Sequence, residues 1–288
     1  MRFYFLLLKY FFKFSTKWVL LKTKLDYAFW KQFGLFEHGQ MNEVDYSRAT
    51  FDFFVDAYEN QLGRKWRDIT LLELGPGDSV AIGVLSSYAG SKESILIDAG
   101  DFATKDLDFY LQFRFDHNQS IENDSNFDSF LSSHNIKYFT RGIEDLKIIP
   151  DDSIDLVISN AVLEHVSEDH ITKYLLEFNR VLRSSGVMIH RIDYRDHLVG
   201  MDFHKYLPQS VKRTEFFQKS ILYLNGLSQE DYLEYFDHFG FSVQLTDCKS
   251  FPHSRASNRS KARVKYSNNS RHEIASSCLI CTKIALLN

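Results

Sequence analysis

A turn with two glycines between acidic residues is the strongest candidate for a ligand site in this sequence. The run LLELGPGDS over residues 71–79 predicts an apolar strand, a sharp bend at Gly75 and Gly77, and then a helix. Glycine lets the backbone bend and leaves no Cβ in the way of a ligand. Glu73 before the bend and Asp78 within it give the turn a negative charge, so we count all four residues as cofactor-binding candidates.

The charge of this turn decides which ligand it suits. A dinucleotide site has the pattern G-x-G-x-x-G, but Val80 occupies the third glycine position. Asp78 would lie where a pyrophosphate binds, and Coulomb repulsion in a partly desolvated crevice makes that unfavourable. S-adenosyl-L-methionine carries no phosphate, and its amino group and sulfonium are positive. The turn therefore favours this cofactor over a dinucleotide.

Asp98 ends the next predicted strand and supplies a second piece of the same site. A carboxylate in this place can accept hydrogen bonds from both hydroxyls of a ribose. The alternative is a helix cap or a solvated acid in a turn. Because the glycine turn precedes Asp98 in the chain, the ribose role is the preferred interpretation.

Two positions could carry proton transfer. The run 190–197 follows the fifth predicted strand, and the carboxyl ends of parallel strands face the ligand crevice. Within it, His197 is a candidate base and Asp196 its orienting acid, with Asp193 nearby, because histidine titrates near neutral pH. His165, after the fourth predicted strand, is a second candidate base. A lone histidine is more often structural, so that role is the alternative at both positions.

These residues need an alternating α/β scaffold to hold them. From Thr70 onward, short β-branched runs alternate with longer helical patterns, which is typical of a mostly parallel sheet with helices on both faces. We expect a Rossmann-like, doubly wound, seven-stranded sheet with an antiparallel last strand and an N-terminal helical extension. The predicted strands are 70–74, 94–98, 136–140, 154–159, 187–193, 241–247 and 276–283. The predicted helices are 44–62, 79–89 with Ser79 as N-cap and Gly90 as stop, 168–183, and one that the capping box Ser228–Asp231 opens before Gly240.

Several motifs follow one another in the order of a known family. They are Glu73-x-Gly75-x-Gly77, the strand-end Asp98, the run Gly142–Asn160, Leu163-Glu-His165 and Val181–Ile189. Together they resemble the type 11 class I S-adenosylmethionine-dependent methyltransferases over about residues 70–195. The order of several motifs is much more specific than one glycine turn.

The resemblance implies a role for each motif at the cofactor. The residues concerned are Glu73, Gly75 and Gly77 in the turn, Asp98 at the ribose, Ile143 and Glu144 at the adenine, and Asn160 and Ala161 at the methionine end. Two positions depart from the family pattern. Ser79 replaces the third glycine, and Gly142 stands where the family often has an acid, which leaves backbone groups or Glu144 for the adenine amino group.

The N-terminal segment 1–40 is basic and rich in large apolar residues. Lys9, Lys13 and Lys17 repeat every four residues and so form one stripe of an amphipathic helix. Three lysines within an apolar run argue against a transmembrane span. Residues 1–24 could lie on a membrane surface or pack on protein, and both interpretations stay open.

Composition sets the broad class. A chain of 288 residues with 44% hydrophobic and 25% charged residues and a net charge of −4 is globular and not a polycation. We expect one domain over 41–288, with a cofactor half at about 68–195 and acceptor-side helices and the last two strands at about 196–288. The three cysteines fit a reducing cytoplasm. Cys278 and Cys281 lack a second pair for zinc, so we expect sheet cysteines and no metal.

The methyl acceptor is the least determined part of the prediction. Ser159-Asn-Ala-Val162 stands where N/D-P-P-Y would mark adenine-N6 or glutamine-amide methylation. The leading interpretation is transfer to an O or N atom of a small molecule, a sugar or a lipid-linked glycan. Residues 193–197 and 223–225 loosely resemble methyltransferases found with bacterial surface-polysaccharide enzymes.

Two alternatives stay open. One is an RNA methyltransferase that uses the basic loop 253–272, although that loop has few aromatic residues for base stacking, so nucleic acid is not the favoured partner. The other is a catalytically silent docking protein. We expect a cytoplasmic location or a peripheral one at the inner membrane surface, and the sequence leaves the oligomeric state open.

Overall fold

A seven-stranded sheet organises the molecule in the order β3-β2-β1-β4-β5-β7-β6. The computed structural model describes residues 40–114, 126–195, 223–250 and 274–284. The strands are β1 Thr70–Leu74, β2 Glu93–Ile97, β3 Ile136–Phe139, β4 Ile154–Asn160, β5 Leu182–Asp193, β6 Phe241–Ser250 and β7 Ile274–Lys283. The first five strands pair in parallel, and β7 pairs antiparallel with both β5 and β6. The predicted Rossmann-like sheet with an antiparallel last strand is confirmed.

Helices cover both faces of this sheet. They are α1 Val44–Asp56, α2 Ala81–Tyr88, α3 Leu107–Leu111, α4 Phe127–Ser133, α5 Ile143–Leu146, α6 Glu168–Val181 and α7 Gln229–His238. Neighbouring residues of the central strand belong to different cores, since Leu71 packs with α1 and α2 while Leu72 packs with α6 and α7. Alternation along a strand sends successive side chains to opposite faces. Strands buried on both faces therefore have continuous apolar sequences.

The start of α2 differs from the prediction. The sequence predicts Ser79 as the cap; α2 begins at Ala81 with Val80 as its N-cap residue, and the Ser79 hydroxyl oxygen accepts a long hydrogen bond, 3.4 Å, from the Ala81 N–H. The Ser79 side chain is buried and its hydroxyl donates to the carbonyl oxygen of Met41. This bond ties the glycine turn to the segment that leads into α1. The predicted stop at Gly90 is confirmed, because its φ of +90° is a conformation that favours glycine.

Other predicted elements are confirmed with small shifts in their ends. The predicted helix 44–62 is α1 followed by one π-helical turn, Ala57–Gln61. β5 begins at Leu182 rather than 187, with an irregular register against β4 near Ile154. The capping box of α7 forms as predicted, since the Ser228 and Asp231 side chains each accept a hydrogen bond from the other's backbone N–H.

The two sheet cysteines occupy different environments. Cys278 packs in the core on the α1 side of β7, and Cys281 packs in the core on the α6 side. Both are buried, and burial raises the pKa of the Cys278 thiol to about 11. Because they project to opposite faces, the C-x-x-C spacing does not bring the two sulfur atoms to one site.

Some predicted features lie outside the described residues. These are the N-terminal helix over residues 1–39, the basic loop 253–272, Asp196 and His197. Within the part of the chain that the structure describes, none of the helices combines the length and the hydrophobicity needed to cross a bilayer.

Candidate active site

The glycine turn after β1 is held by its neighbours on both sides. Gly75 adopts φ +70° and its N–H donates to the Ile97 carbonyl at the end of β2, 2.8 Å away. A Cβ on Gly75 would lie 2.6 Å from Cγ2 of Val162, in the loop after β4. Gly77 also has a positive φ, +67°. The turn therefore needs glycine for its backbone conformation and, at Gly75, for the close approach of the β4 loop.

Asp98 closes this turn from the end of β2. Its Oδ2 accepts a hydrogen bond from the Gly77 N–H at 2.9 Å, and its Oδ1 accepts one from the Ala99 N–H at 2.7 Å. Each carboxylate oxygen has a second lone pair, so both can accept another donor. The structure thus brings together the two elements that the sequence analysis combined into one site.

The environment of Asp98 shifts its titration. Burial raises its pKa to about 6, and the negative charge of Asp78 adds to this effect. The two backbone N–H groups act in the opposite direction because they favour the ionised form. Asp98 is therefore mostly ionised at neutral pH and becomes protonated in mildly acidic solution.

Glu73 places a second carboxyl beneath the turn. Its side chain is buried, and its Oε2 has no hydrogen-bond partner among the described residues. Burial, with the nearby Asp98 charge, raises its pKa well above the ordinary value. A buried polar atom without a partner is uncommon in folded proteins and calls for an explanation such as a bound ion or water. A cationic amino group would satisfy it.

The loop after β3 is bound to the same strand end. The N–H of Gly142 donates to the Asp98 carbonyl oxygen at 2.7 Å. Ile143 lies partly buried against the core under α6. Glu144 points to solvent and pairs with Lys147 at 2.8 Å, which lowers its pKa. The structure thus brings Ile143 near the Asp98 end and leaves Glu144 on the surface.

Asp145 is the buried acid of this loop, and the sequence analysis did not single it out. Its carboxylate accepts hydrogen bonds from the backbone N–H and the guanidinium of Arg141. Arg141 keeps the pKa of Asp145 below its usual range. The i, i+4 spacing of an arginine and an acid is the sequence pattern that could have identified this ion pair.

The end of β4 carries Asn160 and Ala161 towards α1. The Asn160 amide donates to the hydroxyl of Tyr46 at 3.4 Å, and Ala161 adopts φ +55° with its N–H donating to the Arg191 carbonyl at 2.9 Å. Tyr46 belongs to α1, so α1 covers this edge of the sheet. A tyrosine in an amphipathic helix gave no signal by itself in the sequence.

The two histidines near the strand ends have different surroundings. His165 is exposed, and its Nδ1 donates to the carbonyl oxygen of Tyr223 at 2.9 Å. His190 is fully buried, with Nδ1 2.8 Å from the Ser159 hydroxyl and its ring between Phe178 and Phe236. Burial lowers the pKa of His190 to about 3, so it is a neutral core residue.

Glu164, next to His165, is the titratable group that the sequence analysis missed at this end. Its Oε1 accepts a hydrogen bond from the Asp193 N–H at 3.2 Å, and its Oε2 has no partner among the described residues. Burial raises its pKa to about 8, and the Asp193 charge adds to the shift. Glu164 thus joins the β4 loop to the end of β5 in its protonated form at neutral pH.

One comparison with known proteins covers the segment that contains these residues. Residues 72–190 match the family model of the methyltransferase domain (Methyltransf_11), which confirms the resemblance stated from the sequence and indicates S-adenosyl-L-methionine as the cofactor. No curated protein matches the chain in sequence.

Solved structures of methyltransferases are similar to the chain at low identity. A SAM-dependent methyltransferase from Archaeoglobus fulgidus is 13% identical, with a TM-score of 0.47 and coverage of 90% of this chain and 100% of the other. Geranyl diphosphate C-methyltransferase from Streptomyces coelicolor A3(2) is 11% identical, with a TM-score of 0.49 and coverage of 82% and 78%. A putative S-adenosylmethionine-dependent methyltransferase from Listeria monocytogenes is 14% identical, with a TM-score of 0.45 and coverage of 80% and 98%.

Proposed function

We propose that this protein transfers the methyl group of S-adenosyl-L-methionine to an O or N atom of a small molecule, a sugar or a lipid-linked glycan. The observation that carries the proposal is the contact of Asp98 with the glycine turn, 2.9 Å from Oδ2 to the Gly77 nitrogen. It joins a hydrogen-bond acceptor for ribose hydroxyls to a turn whose two glycines are partly exposed. The matched methyltransferase domain spans both elements.

The acidic residues of the site fit the charge of this cofactor. Glu73 would neutralise the amino group, and its Oε2, which has no partner among the described residues, would gain one. Asp98 would accept the ribose hydroxyls with the lone pairs that its backbone partners leave. Asp78 adds negative charge to the turn and so disfavours phosphate-bearing ligands.

The neighbouring loops supply the residues that we propose for the adenine and methionine ends of the cofactor. Ile143 would pack against the adenine, because its side chain lies partly buried beside the end of β2. Asn160 and Ala161 would line the methionine end. Glu144 pairs with Lys147 at the surface, so backbone groups of the Gly142 loop are the better candidates for the adenine amino group.

An acceptor oxygen or nitrogen must be aligned with the sulfonium methyl and must lose a proton. S-adenosyl-L-methionine supplies the electrophilic methyl group when it is bound. We assign the role of the base that accepts this proton to His197, with Asp196 as its orienting acid, and keep His165 as the second candidate. The Tyr223 carbonyl holds the proton of His165 on Nδ1, which leaves Nε2 as the basic nitrogen of that ring.

The test has two parts that use the full-length protein. Isothermal titration with S-adenosyl-L-homocysteine should show binding, and incubation with methyl-labelled cofactor and fractionated cell extract should label a non-nucleic-acid fraction. Failure to bind would favour the docking-protein alternative. Label only in RNA, with binding that weakens strongly with salt, would favour the RNA methyltransferase. A cytoplasmic setting, a membrane contact through residues 1–24 and the domain boundary near residue 41 stay predictions.

A further inference from the structure

Arg191 is a half-buried cation near the end of β5, and no carboxylate pairs with it in the described part of the chain. Its Cζ lies 4.4 Å from the centre of the Phe53 ring on α1. Arg183, at the other end of the same strand, pairs with Asp155. A guanidinium that is partly removed from water gains most from an anionic partner. The position of Arg191 therefore favours an anionic ligand.

The strand register places Arg191 beside the residues proposed for the methionine end of the cofactor, and therefore near the methyl group to be transferred. Asn160 of β4 is its register partner, and the Ala161 N–H donates to its carbonyl oxygen. Ile158 and Ile189 belong to the core under α1, so the residues two positions further along each strand point to that same face. β5 is two strands away from β1, which puts Arg191 about 10 Å from the glycine turn.

We propose that Arg191 binds an anionic group of the methyl acceptor, a carboxylate or a phosphate. The inference rests on the proposed function, since it names the substrate class of that same site. A guanidinium donates two parallel hydrogen bonds to such a group, and the Phe53 ring supports its planar face. The amide of Asn160 and the hydroxyl of Tyr46 supply neutral donors at the same edge. Because Asn160 is also proposed to line the methionine end, the S-adenosyl-L-homocysteine affinity of R191Q decides between an anion of the acceptor and the carboxylate of the cofactor.

The experiment titrates inorganic phosphate into the protein saturated with S-adenosyl-L-homocysteine, with calorimetry or phosphorus NMR as the readout. R191Q should bind phosphate at least tenfold more weakly than the unmodified protein, and R191K should recover part of the affinity as a point charge. R183Q is the matched control, because it removes the same charge from the opposite end of β5 and should leave phosphate binding unchanged. All variants should bind S-adenosyl-L-homocysteine equally.

Three results separate the possible failures. Equal phosphate binding by the unmodified protein and R191Q, including no binding by either, would overturn the anion site. Weaker S-adenosyl-L-homocysteine binding by R191Q would assign Arg191 to the cofactor's carboxylate and would overturn the acceptor role. If the unmodified protein does not bind S-adenosyl-L-homocysteine, the proposed function fails by itself, and the phosphate titration of the free protein still decides the anion site.

Discussion

Replacing Asp98 by asparagine tests the ribose contact directly. Asparagine keeps the shape of the side chain and can still accept the Gly77 N–H at one oxygen, but it removes the charge and one acceptor. Hydrogen bonds to charged groups contribute about 1.5–3 kcal/mol, so the Kd for S-adenosyl-L-homocysteine should rise about 10- to 150-fold. Isothermal titration at pH 8 measures this change.

The pH dependence gives the same prediction a second readout. Asp98 has a pKa of about 6 in the free protein, and the ligand requires its ionised form. The contribution of Asp98 to the affinity of the unmodified protein should therefore be constant above pH 7 and fall about tenfold per unit below pH 6. The D98N profile should lack this component and keep only the pH dependence that Glu73 and the ligand contribute, which both proteins share.

Stability measurements separate lost binding from lost folding. Because burial raises the folded-state pKa of Asp98 above 3.8, its contribution to stability is greatest below pH 3.8 and is lost as the pH rises through about 6. D98N removes this cost of burying a charge but turns its amide NH2 towards one of the two backbone N–H groups that Asp98 accepts, so at pH 8 its free energy of unfolding should lie within about 3 kcal/mol of that of the unmodified protein. E93Q removes a charge from the opposite end of β2 and should change neither affinity nor its pH profile. Unchanged affinity in D98N would show that another carboxylate binds the ribose.

Three further predictions concern the turn, the buried glutamate and the proposed base. In urea, the free energy of unfolding of G75A should be about 1–3 kcal/mol lower, because of the φ of +70° and the overlap of the new Cβ with Val162. Adding V162A should relieve only the overlap. Unchanged stability in G75A would refute the packing argument. The unmodified protein should lose up to about 5 kcal/mol of stability through Glu164 as the pH rises from 4.5 to 8, since the folded-state pKa is about 8 and the ordinary value is 4.5. E164Q should remove this slope, and parallel stability curves would contradict the burial argument. H197A should lower the rate of methyl transfer and leave S-adenosyl-L-homocysteine affinity intact, and full activity would exclude His197 as the base.

The sequence predicted the sheet well because each strand has a local sequence pattern that identifies it. Buried parallel strands are short apolar runs bounded by glycine and polar turns, and β1 begins and ends where it was predicted. The start of α2 was less predictable. The Ser79 hydroxyl accepts from the Ala81 N–H and also donates to the Met41 carbonyl, a partner that the chain brings close from a distant position. β5 also begins earlier than its apolar run, because Leu182 pairs with Ile154 and the polar residues 183–186 lie where the register between β4 and β5 shifts.

The candidate site shows the same division between local and non-local information. The glycine turn and Asp98 each follow a strand, so the sheet brings them together once the strand order is known. Of Glu164 and His165, residue type alone favours the histidine as the group that titrates near neutral pH, because its ordinary pKa is about 6.5. The fold exposes His165 and buries Glu164, which raises the pKa of the carboxyl to about 8. Burial comes from elements distant in sequence, so no local pattern marks Glu164 as a group that titrates near neutral pH.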